Sequence, residues 1–152
     1  MQGSVNKGAA AVVVAAHGGS GATTLSRALH LPESGDPRGA GVVVVTARTT
    51  AEAADRVVRT VAALPTHQQV VLALTEDAPL PMPIAVAAMR RLLADRVAAV
   101  VVLPWQPRWR HERPTVATAH RRWTAGAVDL AAVIADLSVT QTTQPDPEGA
   151  LA

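Results

Sequence analysis

The chain has 152 residues, 49% hydrophobic and 17% charged, which suits one domain with its own core and excludes disorder over most of its length. With no cysteine and a formal net charge of +2, it excludes disulfides, thiolate metal sites and a cysteine nucleophile, and argues against a global field for nucleic acid. Tyr and Phe are absent and Trp numbers three, so the core has to be built mainly from 22 Val and 31 Ala with Leu and Ile; the only lysine is Lys7.

Residues 1–8 read as a loose leader. No apolar run approaches the roughly 18 residues of a membrane span. Lys7 followed by residues 9–16 faintly imitates a signal peptide, but that stretch is short, is built of Ala and Val, and leads into a glycine turn. A cytoplasmic location without membrane association is expected.

Residues 10–16 form a β-branched apolar run, short enough for a buried strand. His17-Gly18-Gly19-Ser20-Gly21 breaks it, and residues 23–29 open a helix. Residues 31–39, with two prolines and Glu33, Ser34 and Asp36, read as a loop. Residues 41–47 hold four successive valines, a second buried strand. Thr49 or Thr50 then caps a helix with Glu52 in its first turn. Ala54, Val57, Val58, Val61 and Leu64 recur along it at helical spacing until Pro65.

A third strand spans 70–74 and runs into Thr75-Glu76-Asp77. Pro79, Pro81 and Pro83 make a stiff connection. A third helix is expected over 84–96, with Ile84, Ala88 and Leu92 on one face. A fourth strand covers 97–103, and a Trp- and Arg-rich loop covers 104–114. The last helix is expected over 115–137, with Val116, Trp123, Ala127, Leu130, Ile134 and Leu137 along one side. Residues 139–152 read as a disordered tail, which leaves one domain over 9–138.

Four strands apolar on both faces, alternating with four helices, predict a three-layer α/β fold: a mostly parallel sheet of about four strands flanked by helices, with right-handed crossovers. Strand order does not follow from the sequence. Ligands of such sheets sit at the carboxyl ends of the strands, here 17–24, 46–50, 75–83 and 104–113.

The most informative segment is His17-Gly18-Gly19-Ser20-Gly21-Ala22-Thr23-Thr24-Leu25, between a buried strand and a helix, which is the context a phosphate loop requires. Glycines let the backbone wrap closely with several N–H groups turned inward, and the helix N-terminus adds partial positive charge. A hydroxyl at Thr23 stands where a Mg²⁺ ligand is wanted. Residues 17–25 resemble the deviant Walker A loop of the ParA/MinD group of P-loop ATPases, with its Lys-Gly-Gly-x-Gly-Lys-Thr-Thr pattern. Gly18, Gly19, Gly21, Thr23 and Thr24 match; Ser20 fills the free position. The departures are the two lysines, replaced by His17 and Ala22.

More weakly, residues 42–52 resemble that family's late strand and the helix after it. Residues 101–108, including Trp105, resemble its last strand and the proline loop that packs on adenine. The resemblance implies a P-loop NTPase-like fold, ATP or ADP with Mg²⁺ as ligand, a phosphate site at Gly18–Thr24, and Trp105 beside the purine. Its acidic magnesium segment has no clear counterpart.

Backbone amides alone can hold phosphate. Without the lysines, no mobile cation follows charge onto the leaving oxygens, and that electrostatic term dominates phosphoryl transfer. Arg48 could reach in, although nothing in the sequence requires it. Weak nucleotide or phosphate binding without efficient hydrolysis is therefore expected, in a regulatory or scaffolding role. The resemblance points to plasmid partition, positioning or mobile-element functions. The competing reading is a turn that keeps the shape and binds nothing.

Glu76 and Asp77 follow the third strand, where Asp77 is the candidate to join Thr23 in holding Mg²⁺; a solvated turn is the simpler reading. That pair with Thr23 would define a slow Mg²⁺-dependent ATPase. Trp105, Arg108, Trp109, Arg110 and Arg113, with Arg121, Arg122 and Trp123, form one basic-aromatic cluster able to stack on bases and hold phosphates. Trp123 also fits the core and Trp109 a sheet-edge cover. An interaction module is thus the third reading, with the Trp/Arg loop or the last helix binding protein, a second copy or nucleic acid. The five histidines show no zinc-like spacing, and His120 reads as a packed residue of the last helix. Arg over Lys, with abundant Ala and Val, fits a GC-rich bacterial coding sequence.

Overall fold

The computed structural model describes residues 11–110, 113–114 and 119–143. The leader with Lys7, residues 115–118 with Val116, and the tail beyond 143 lie outside the described residues. The chain runs β1 (Ala11–Ala15), α1 (Ala22–Leu29), β2 (Val42–Arg48), α2 (Ala51–Ala62), β3 (Gln69–Thr75), α3 (Ile84–Leu92), β4 (Ala99–Leu103), a 3-10 turn (Pro107–Arg110) and α4 (Arg121–Thr143). The four strands pair in parallel in the order β1-β2-β3-β4. This is the three-layer α/β fold that the alternation of apolar strands and helices predicts.

Successive side chains of a strand point to opposite faces, and the valine runs feed two cores at once. Val12, Val14, Val43, Val45, Leu72 and Leu74 pack under α2 and α3. Val13, Val42, Val44, Val71 and Ala73 pack under α1 and α4. Thr50 caps α2 as expected, its hydroxyl accepting the Ala53 N–H at 3.1 Å.

The helix layers reveal the winding. α1 lies on the opposite face from α2 and α3, although β1 to β2 and β2 to β3 step the same way across the sheet. The segment expected as a plain loop explains it. Val13 N–H donates to Pro32 O at 2.8 Å, and Val13 O accepts the Ser34 N–H at 2.9 Å, making a parallel bridge between Val13 and Glu33. Ala16 N–H instead bonds Thr46 O on β2. Amides alternate in direction along a strand, so residues 32–34 lie on the outer edge of β1 as a rudimentary strand.

Counting that segment, the spatial order is 2-1-3-4-5, a doubly wound arrangement whose topological switch point falls between β1 and β2. Right-handed crossovers in two directions then place α1 and α2 on opposite faces. The return across the sheet is held by buried Gln68, whose Nε2 donates to Pro37 O at 2.6 Å and Ala40 O at 2.9 Å.

α3 buries a different apolar stripe from Ile84, Ala88 and Leu92. Its inner face is Val86 and Met89, continued by Leu93, all buried, whereas Ile84 and Leu92 are 85% and 70% exposed and Ala88 is exposed too. The helix also stops at Leu92. Beyond it, the Arg96 guanidinium donates to Gln68 O at 3.0 Å and Pro65 O at 2.7 Å, which draws the chain back to the α2–β3 connection.

α4 buries Trp123, Ala127, Leu130 and Ile134 as expected, but it continues through Thr143, so residues 139–143 are helical. His120 is exposed, not packed. Its Nδ1 accepts the Arg122 N–H at 3.2 Å and its carbonyl the Thr124 N–H at 3.1 Å, so it caps the helix. Gly126 lets α4 approach β4, since a Cβ there would stand 2.6 Å from Leu103 Cδ2. Residues Arg121–Thr140 have a mean hydropathy of 1.3 over their most apolar 18-residue window. By length and composition α4 thus meets the minimum for a membrane span, contrary to the sequence reading. Its buried stripe is nevertheless spent on the sheet.

Candidate functional site

The switch point is where the glycine turn stands. Gly19 has φ 75° and Gly21 φ 88°, left-handed values that side chains resist. Gly21 is also the N-cap of α1, with no side-chain cap and no acid in the first turn. The first helical hydrogen bond runs from Leu25 N–H to Gly21 O at 3.0 Å. The amides of Ala22, Thr23 and Thr24 therefore precede the intrahelical ladder, at the positive end of the helix dipole. A Cβ on Gly18 would meet nothing within 4 Å, so that position leaves room without being forced to be glycine.

The turn opens into a cavity of about 590 Å³ at the carboxyl ends of the strands, a size ordinary for small-molecule sites. The whole segment 17–25 lines it, with Glu33, Thr46, Arg48, the stretch 75–77, Trp105, Gln106, Trp109 and Trp123. The expected site residues Gly18, Gly19, Ser20, Gly21, Ala22, Thr23, Thr24, Trp105 and Asp77 thus share one cavity.

Their side chains have distinct partners. Ser20 is buried, with its Oγ 2.7 Å from Thr46 Oγ1; its hydroxyl ties the turn to β2. Ala22 is buried among Val13, Leu25 and other apolar residues, so a lysine there would have to lead its stem out of a core wall. Thr23 Oγ1 donates to Glu33 Oε2 at 3.0 Å. The rudimentary strand brings Glu33 to the site; nothing in the sequence marked it.

Arg48, at the end of β2, does reach the turn. Its Nε donates to Gly19 O at 2.7 Å and its Nη1 to Asp77 Oδ1 at 3.0 Å. Its backbone N–H donates to His17 Nε2 at 3.0 Å. That nitrogen must then be the acceptor, which assigns the proton to Nδ1, 2.7 Å from Gly18 O. Asp77 is further fixed by its N–H to Thr49 Oγ1 at 3.1 Å. Arg48 is the only Arg or Lys among the described lining residues, against the carboxylates of Glu33, Glu76 and Asp77.

Trp105 is half-buried on the cavity wall. Trp109 and Trp123 form an edge-to-face pair with centroids 5.3 Å apart, so Trp109 covers Trp123 and the core beneath it. Among the described residues, no group of three or more His, Asp or Glu side chains could hold a metal ion. No family model, curated protein or solved structure matches the chain.

Proposed function

We propose that this protein is a ParA/MinD-like P-loop protein with a degenerate phosphate loop, which binds ATP or ADP weakly, assisted by Mg²⁺, and does not hydrolyse it efficiently. The observation that carries the reading is the uncapped N-terminus of α1 behind left-handed Gly19 and Gly21, opening into the cavity at the switch point. Amides there attract phosphate oxygens, and Trp105 offers an aromatic face to a base. The donor set suits a hard cation brought with the nucleotide: the Thr23 hydroxyl and the Glu33 and Asp77 carboxylates are oxygen ligands of the kind Mg²⁺ takes.

Weak turnover follows from charge. Three carboxylates line the cavity against one guanidinium among the described residues. Arg48 is anchored through Gly19 O and Asp77, so it can grip a bound phosphate without having the reach of a lysine to follow charge onto a leaving oxygen. A binder that does not turn over suits a regulatory or scaffolding role, in plasmid or mobile-element functions by resemblance.

Calorimetric titration with ATP and ADP, with and without Mg²⁺, tests the reading beside a phosphate-release assay. The expected result is weak binding that loses its Mg²⁺ dependence in Thr23→Ala and is tightened in Ala22→Lys, once a thermal melt shows that the lysine variant is folded despite the burial of that position. Absence of binding by both the natural protein and Ala22→Lys overturns nucleotide binding. Brisk phosphate release overturns the claim of poor turnover.

A further inference from the structure

We infer that Arg48 is the phosphate-gripping cation of this site and that Asp77 restrains it, competing with the incoming anion for the same guanidinium. The inference rests on the phosphate-loop reading and names the control of that loop. Arg48 begins on the strand next to β1 and crosses the turn, with Nε on Gly19 O and Nη1 on Asp77 Oδ1. Its position is set from the main chain outward, because its own N–H is anchored on His17 Nε2.

The Asp77 contact is cheap to exchange. The two side chains are 50% and 44% exposed, and ion pairs so exposed are weak. A phosphate is a stronger partner, since a guanidinium fork matches two of its oxygens at once. Arg48 is also the only guanidinium or ammonium group among the described cavity-lining residues. Among the described lining residues the anion finds its formal positive charge at Arg48, so phosphate uptake draws Arg48 from Asp77. Removing Asp77's charge frees the guanidinium in advance. Removing the neighbouring Glu76 charge does not, because no hydrogen bond or ion pair joins Glu76 to Arg48; its backbone N–H is held by Leu103 O at 2.9 Å.

The test titrates inorganic phosphate and ADP, free of Mg²⁺, into the full chain and into Asp77→Asn, Arg48→Gln, Glu76→Gln and the double variant Asp77→Asn/Arg48→Gln. Circular dichroism melts confirm that each is folded, and Arg48→Lys replaces any Arg48→Gln protein that is not. The expected result is a five- to tenfold tightening in Asp77→Asn and a smaller gain in Glu76→Gln. At least a tenfold weakening is expected in Arg48→Gln, with the double variant no better than Arg48→Gln. Equal gains in Asp77→Asn and Glu76→Gln, or a gain that persists without Arg48, overturn the inference by reducing Asp77 to a general negative charge. Unchanged ADP binding in Arg48→Gln also overturns it and leaves the phosphate-loop reading standing. No binding in any variant removes both.

Discussion

Gly18 and Gly21 are the same residue type with opposite duties. Gly21 is required by the backbone: at φ 88° an added methyl is strained, although its nearest neighbour, Thr75 Oγ1, is a tolerable 3.7 Å away. Gly21→Ala should cost about 1–2 kcal/mol in a thermal or urea melt. Gly18 has open space and no left-handed φ. Gly18→Ala should leave the melt within about 0.5 kcal/mol; under the proposed phosphate-loop reading, a methyl on this cavity-lining residue should weaken nucleotide binding in calorimetric titration. The glycine pattern was legible in the sequence, but which glycine the backbone requires and which stands in open space was not.

A pH prediction belongs at this scale as well. The Arg38 guanidinium donates to both Asp36 carboxylate oxygens, at 2.8 and 2.7 Å. That bonding, with the Arg38 backbone N–H, holds the Asp36 carboxyl at about 2, below its ordinary 3.8. A lowered carboxyl contributes stability that is present above about pH 3.8 and fades as pH falls through about 2. Both side chains are largely exposed, so the effect is small. Carboxyl-carbon NMR titration should show the low midpoint, and Arg38→Ala should return it toward the ordinary range.

At the scale of elements, α3 shows what periodicity leaves open. Ile84, Ala88 and Leu92 are spaced for one helical stripe, and Val86, Met89 and Leu93 are spaced for another. Spacing alone does not choose between them. In the assembled layers the second stripe is the one buried in the core. Leu93→Ala should therefore cost about 2–4 kcal/mol, and Leu92→Ala less than about 0.5 kcal/mol, as read by denaturant midpoints. The strands were easier to read, since runs such as Val42 to Val45 are apolar on both faces and have one reasonable home. α4 was legible in its stripe but not in its start, because the His120 cap is formed by an imidazole, a residue not prominent among capping types.

For the molecule as a whole, layers and strand direction followed from the alternation of apolar runs, while the winding did not. Pro32-Glu33-Ser34 has neither length nor β-branching, and it pairs with Val13 on the edge of β1 that β2 leaves open. That short pairing places the switch point next to the glycine turn and brings Glu33 to Thr23. A cavity-lining acid contributed by so unassuming a segment had no sequence signal.

All three tryptophans border the cavity, and the chain has no tyrosine or phenylalanine. Its near-ultraviolet absorbance and emission therefore originate entirely around one chamber, with no background from elsewhere in the polypeptide. Occupancy of that chamber becomes readable by light without any attached dye. Trp105→Leu would separate the signal of the wall from that of the edge-to-face pair.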